Sequence, residues 1–438
     1  MIVSKFGGSS LSNASQFEKV KTIVLNNSER KVVVVSAPGK SREEKHKVTD
    51  LLLMCYQLAS HKLNFDEVFG IIKKRFKNIV KDLNIKLDID KELEIIHREI
   101  IGGASREFIA SRGEYLNAKI LANFLDFDFL DAKDIIFIEN EKANMEKSFK
   151  AINSKIDLEK HYVVPGFYGS GIDSKIKTFS RGGSDISGAI IAAALDAELY
   201  ENWTDVSGFL TADPKIVLEE QTIKTVTYRE LRELSYMGAP VLHEEAIFPV
   251  KAEQIPIKIL NTNRPQDSGT LILPDESVNC SDNIITGISG KKDFTVIRIE
   301  KVFMAEDLSF YRKVLSVFET NDIKIEHMPT SIDTVSFVVA SSEIEGKEKK
   351  ISEEIAIYTS PDNIFISKGL AIIAVVGRGM VSAKGTSAII FTALAENNIN
   401  IRMISQGSSE MNIIIGVLNE DFEAAIEAIY KKFKELKK

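Results

Sequence analysis

The chain has 438 residues, 44% hydrophobic and 27% charged, with a net charge of −7. At about 150 residues per domain this allows roughly three domains, with cores large enough to need neither disulfides nor structural metals. The acidic balance excludes the basic footprint of a nucleic-acid binder, no apolar run nears the ~20 residues of a membrane span, and two distant cysteines fit a reduced, cytoplasmic protein.

The N-terminus, Met1-Ile2-Val3-Ser4-Lys5, lacks the apolar core of a signal peptide. Residues 2–6 read as a strand ending in Gly7-Gly8-Ser9-Ser10, and residues 16–25 have helical spacing. Residues 31–35 are a valine run of the kind buried on both faces of a parallel sheet. Residues 41–125 read as mostly helical, with Cys55 in an apolar run that marks it as core. Further strands are expected at 135–138, 162–164 and 199–206, and an alanine-rich helix at 187–199. This alternation implies a three-layer α/β domain over residues 1–275.

Pro265, Gly269, Pro274 and Asn279 punctuate a boundary. Beyond it the sequence repeats. A strand, loop, helix and strand beginning at residue 294 recur from residue 371, and the copies align without gaps from the helix into the next strand. Asn321 pairs with Asn397, Ile323 with Ile399, and Ile325 with Ile401. Each copy adds another strand (335–339, 411–417) and a charged helix (347–355, 421–437). Two copies of about 75 residues are too few for a solenoid. Two small packed domains are expected, at 285–365 and 366–438, the second completed by a strand from 284–293.

Several turns carry chemistry. Lys5 precedes the Gly7-Gly8-Ser9 turn, whose successive N–H groups can form an anion nest beside a point charge. The spacing is not that of a P-loop, and a tight turn with a solvent lysine is the plainer alternative. Ser180-Arg181-Gly182-Gly183-Ser184-Asp185 precedes the alanine-rich helix, where a helix N-terminus can hold an anion and Arg181 a carboxylate. The alternative is a helix capped by Ser184 or Asp185. Trp203-Thr204-Asp205 ends a strand, the usual ligand-binding position in an open α/β sheet. Glu114, after Arg112-Gly113, can hold an ammonium group or stand as an ordinary helix-start acid. Together these make a lysine, an arginine, two carboxylates and three backbone nests, a set suited to phosphoryl transfer. A carboxylate acceptor would need no general base near neutral pH, consistent with the lack of a candidate catalytic histidine.

These motifs, with Val35-Ser36, Gly238-Ala239-Pro240-Val241-Leu242-His243 and the tail Ser405-Gln406-Gly407-Ser408-Ser409-Glu410, resemble the aspartate kinases of the amino-acid kinase superfamily, in family order along nearly the whole chain. The C-terminal repeats look like paired ACT domains, which bind amino acids. The resemblance implies a carbamate kinase-like α/β domain followed by two ferredoxin-like ACT domains. It implies ATP- and Mg2+-dependent phosphorylation of the L-aspartate β-carboxylate to 4-phospho-L-aspartate, the step that opens the route to lysine, threonine and methionine. Lys5 and Asp185 would be catalytic, with no metal held by the protein itself. Ser36, Thr49, Glu114, Arg181 and Ser184 would hold aspartate. Lys5, Gly7, Gly8, Ser9, Thr204, Asp205, Leu210, Lys215, Pro240 and Val241 would meet the nucleotide. An effector, lysine first and threonine as the alternative, would sit at Met304, Asp307, Phe310, Tyr311, Lys324, Glu326 and Ser331. ACT pairing implies a homodimer or a dimer of dimers. Trp203 and Leu210 stand where tyrosines are common, and Pro240 where a lysine often meets ATP, with Lys258 a candidate replacement. Another amino-acid kinase, or a catalytically dead amino-acid sensor, remains as an alternative.

Overall fold

The structure, a computed structural model, describes residues 1–41, 44–180, 182–218, 221–236, 244–275 and 283–435. Two compact units emerge: Met1–Phe209 with Thr222–Tyr228 and Val241–Val278, and Leu210–Gln221 with Arg229–Pro240 and Asn279–Lys438.

The chain begins β1 (Ile2–Phe6), α1 (Ala14–Leu25), β2 (Arg30–Val35), α2 (Val48–Ser60), α3 (Asp66–Asp82), α4 (Ile89–Ile101), α5 (Arg106–Leu125) and β3 (Asp128–Phe129). It continues through β4 (Ile138–Glu139), β5 (Lys142–Ala143), α6 (Met145–Lys155), β6 (Tyr162–Pro165), β7 (Tyr168–Ser170), β8 (Ile176–Thr178), α7 (Gly183–Ala194) and β9 (Leu199–Thr204). Then come β10 (Thr225–Thr227), α8 (Tyr228–Tyr236), α9 (Glu244–Ala252), β11 (Ile257–Asn261) and β12 (Thr270–Leu273).

The first unit is built on one eight-stranded mixed sheet in the order β10-β12-β11-β9-β1-β2-β6-β3, with only β11 and β12 antiparallel. Period-2 alternation splits the chemistry between its faces. Phe6, Val33, Val35, Val163 and Trp203 share a core with the apolar stripes of α1 to α5. The other face of β1 carries Lys5 and meets α7. Cys55 lies in the same core as Phe6 and Trp203, and burial pushes its thiol up to about 12.

The second unit contains β13 (Gly287–Glu300), α10 (Leu308–Thr320), β14 (Ile325–His327), β15 (Thr334–Ala340), α11 (Ser341–Ile344), α12 (Glu348–Thr359) and β16 (Asn363–Val376). It ends with α13 (Thr386–Glu396), β17 (Met403–Ser405), β18 (Asn412–Leu418) and α14 (Phe422–Glu435). Its six strands form one antiparallel sheet, β14-β15-β13-β16-β18-β17. The two long central strands serve both repeats. Residues 294–300 pair with β15, while residues 287–291 pair with residues 372–376 of the second repeat.

The repeated asparagines do the same job twice. Asn321 Nδ2 donates to the Val317 carbonyl and Asn397 Nδ2 to the Ala393 carbonyl, both at 2.8 Å. The next residues, Asp322 and Asn398, hold φ of +53° and +57°. Each helix therefore closes on a left-handed residue with its last carbonyls satisfied. No helix among the described residues is long and apolar enough to cross a membrane.

Candidate active site

The candidate residues of the first unit gather at the C-terminal ends of the parallel strands. Lys5 is the penultimate residue of β1, and its ammonium lies 2.6 Å from Asp185 Oδ1 in the first turn of α7. The Gly7 N–H donates to the Trp203 carbonyl at the end of β9 (2.9 Å), and the Ser36 N–H to the Phe6 carbonyl (3.2 Å). Thr204 Oγ1 donates to Asp205 Oδ1 beside them (3.2 Å).

Two glycines act by closeness to backbone. A Cβ on Gly8 would fall 2.7 Å from the Ala37 carbonyl oxygen, and one on Gly39 would fall 2.5 Å from the Gly8 carbonyl carbon. The Gly39 N–H donates to the Gly8 carbonyl at 2.8 Å. Gly8 is thus demanded by loop-on-loop packing, while Gly7 is left facing the Lys5 ammonium.

Helix α7 follows Gly182, which holds φ +59° at its N-terminus and gives no side-chain cap. Neither Ser184 nor Asp185 caps it, so the N–H groups of its first turn stay available to an anion. Ser184 packs on Gly166, where any side chain would collide with it. Phe167 holds φ +77°, a strained setting for an aromatic residue of the kind found at functional sites.

Glu114 is buried on α5. Gly113 lets that helix close on Ala37 and Val48, the residue before Thr49. Burial pushes the Glu114 carboxyl up to about 8, against backbone N–H groups at Ala37 and Glu114 and the charge of Arg112. Its Oε2 has no hydrogen-bond partner. A buried polar oxygen left without a partner is costly.

Arg181, Pro240 and Val241 lie outside the described residues. Leu210 and Lys215 belong to the second unit, where Lys215 is exposed and its N–H meets Asp213. Lys258 is registered beside Glu201, and Lys5 beside Asn202. Alternation therefore puts Lys258 on the face opposite Lys5, where it cannot stand in for a phosphate-side cation.

Of the effector candidates, Met304 and Phe310 are buried in the core, so a ligand would meet their backbone. Tyr311 is half-buried, edge-on to Phe310. Asp307 caps α10, accepting from the Ser309 N–H and hydroxyl, which hold its carboxyl below the usual range. Lys324 pairs with Glu326 at 3.2 Å, and the Ser331 N–H closes a turn on Thr334.

Arg75 on α3 escaped sequence reading. Its buried guanidinium donates to the carbonyls of His46 (2.9 Å), Ser12 (3.0 Å) and Gly39. It ties together the segments at Ser12, Gly39 and His46 that lead out of Gly8 and into Val48. Arg75→Met is expected to lower unfolding free energy by about 3 kcal/mol, since three carbonyls lose their charged donor. Chemical denaturation checks this.

The amino acid kinase family profile matches residues 1–261, and an ACT domain profile matches residues 373–433. Aspartokinase 3 of Bacillus subtilis is 34% identical over 99% of this chain and 98% of its own. The chain belongs to the aspartate kinases. The Clostridium acetobutylicum aspartate kinase structure is 49% identical with TM-score 0.93, covering 99% of both chains. Two structures of Escherichia coli aspartokinase III share the fold at TM-score 0.74, each covering 99% of both chains. One is a complex with aspartate and ADP (23% identical), the other with lysine and aspartate (22%). An aspartate kinase is a phosphotransferase, and here an ACT regulatory region follows the kinase domain.

Proposed function

We propose that this aspartate kinase transfers the γ-phosphoryl group of ATP to the β-carboxylate of L-aspartate, giving 4-phospho-L-aspartate. The observation that carries the reading is the buried Lys5 paired with the half-buried Asp185 at 2.6 Å beside an uncapped helix start. A cation fixed by a carboxylate and a set of free N–H groups match the charge that develops on a transferring phosphoryl group. The attacking carboxylate is ionised at neutral pH, so no base is required.

In this reading Lys5 with Gly7, Gly8 and Ser9 surrounds the phosphates, and Thr204 and Asp205 meet the nucleotide. Glu114 holds the aspartate ammonium, with Ser36, Thr49 and Ser184 lining the pocket. Among the described residues no group of three acidic, histidine or cysteine side chains is gathered. Mg2+ would arrive on the nucleotide phosphates, where it neutralises charge. The paired catalytic charges and the unpaired Glu114 oxygen speak against a dead sensor.

The residues at 285–365 and 366–438 act as two ACT domains. Their effector is lysine, the amino acid bound with aspartate in the E. coli relative's complex, and they pair two chains into a homodimer. The test is initial-rate ADP release against aspartate, glutamate and N-acetylglutamate, with and without lysine or threonine. Turnover of aspartate alone, depressed by lysine, is expected. Preference for glutamate sinks the substrate reading, and inhibition by threonine but not lysine sinks the effector.

A further inference from the structure

Lys5 and Asn202 are 197 residues apart, yet they stand side by side because β1 and β9 run parallel in that register. Asn202 is buried, only 4% exposed. Its Nδ2 donates to Asp185 Oδ1 at 2.8 Å, and its Oδ1 accepts from Lys5 Nζ at 3.4 Å. With the Lys5–Asp185 contact of 2.6 Å, the three side chains close a ring.

Burying an amide is costly unless its polar ends are bonded. A β-branched apolar residue would suit this inner strand better on propensity. Here both ends of the amide go to the lysine and aspartate of the centre. The preceding residue, Glu201, shows the contrast. On the opposite face it is bound by Ser4, Arg30 and Trp203, a network of scaffold groups.

An ammonium group has three hydrogens. Asp185 and Asn202 take two of them. The third has no protein partner among the described residues, and Nζ lies 3.8 Å from where a Gly7 Cβ would stand. We infer that Asn202 is a positioning residue for phosphoryl transfer, locking Lys5 and Asp185 so that the remaining N–H faces the transferring group. This rests on the reading of Lys5 and Asp185 given above.

The test is steady-state kinetics on the full chain for Asn202→Leu, Asn202→Asp, Lys5→Ala, Asp185→Asn and the double variant Asn202→Leu/Asp185→Asn. Asn202→Asp keeps the residue's size, so it serves if the leucine variant does not fold. It loses the donor to Asp185 and sets a like charge there. Both Asn202 variants are expected to lose about 10- to 100-fold in kcat, with KM for aspartate and ATP within about threefold of wild type. The double variant is expected to be no slower than Asp185→Asn alone, because residues acting as one unit are not additive. A kcat within about threefold of wild type in both Asn202 variants overturns the inference, as do losses that multiply in the double variant. Wild-type kcat in Lys5→Ala and Asp185→Asn overturns the underlying reading as well. That result is distinct from one in which those two collapse and the Asn202 variants do not.

Discussion

Lys5→Ala is expected to lower kcat by about three orders of magnitude or more, with KM for aspartate changed only a few-fold. The ammonium is nearly buried and held 2.6 Å from Asp185, so its charge is little screened. Phosphoryl transfer draws on positioned positive charge and gains little from covalent help. A charge aimed at the transferring group acts more on the transition state than on bound aspartate, so the loss falls on kcat. In the alanine variant, among the described residues, the Asp185 carboxylate keeps the Asn202 amide as its hydrogen-bond donor. Lys5→Met, which keeps the apolar stem, separates this packing and pairing cost from the catalytic one. Thermal unfolding should show a smaller defect in Lys5→Met than in Lys5→Ala, while kcat falls equally in both. A kcat within tenfold of wild type in the methionine variant would remove Lys5 from the chemistry.

Much of this centre was legible in sequence because its parts sit at strand ends with strong local signals. The strand at 2–6 and the valine strand ending at Val35 lie where apolar runs and glycines put them. Helix α7 was expected from residue 187 but begins at Gly183. Its first turn is Gly-Ser-Asp, poor in propensity, and it forms because Gly182 adopts a left-handed φ that launches it. The apolar run at 135–138 was expected as a strand, yet only Ile138 joins one, in the two-stranded β4–β5 ribbon. Ile135 and Ile136 are instead buried beside a 3-10 turn. Short apolar runs do not distinguish a strand from a buried loop. Asn202 and Arg75 were invisible for another reason. Their meaning lies in register and in loops far apart along the chain, which no local pattern encodes.

The largest pH effect should come from Glu114. Its carboxyl is pushed up to about 8 by burial, so in the free enzyme it is mostly neutral at pH 7. In the proposed role it must lose that proton to hold the aspartate ammonium. Below about pH 8, kcat/KM for aspartate is therefore expected to rise about tenfold per pH unit, and to level off above it. Glu114→Gln cannot ionise. It is expected to lower kcat/KM about 100-fold at the plateau, mainly through KM, and to abolish this limb of the profile. Stability moves the other way. A carboxyl raised from 4.5 to about 8 on folding binds its proton more tightly in the native state, so its contribution is full at low pH and fades as pH climbs toward about 8. The glutamine variant should thus gain stability relative to wild type across that window. Initial rates and thermal unfolding from about pH 6 to pH 9 test both halves. A flat wild-type profile, or the same limb retained in Glu114→Gln, would show that another group controls aspartate binding.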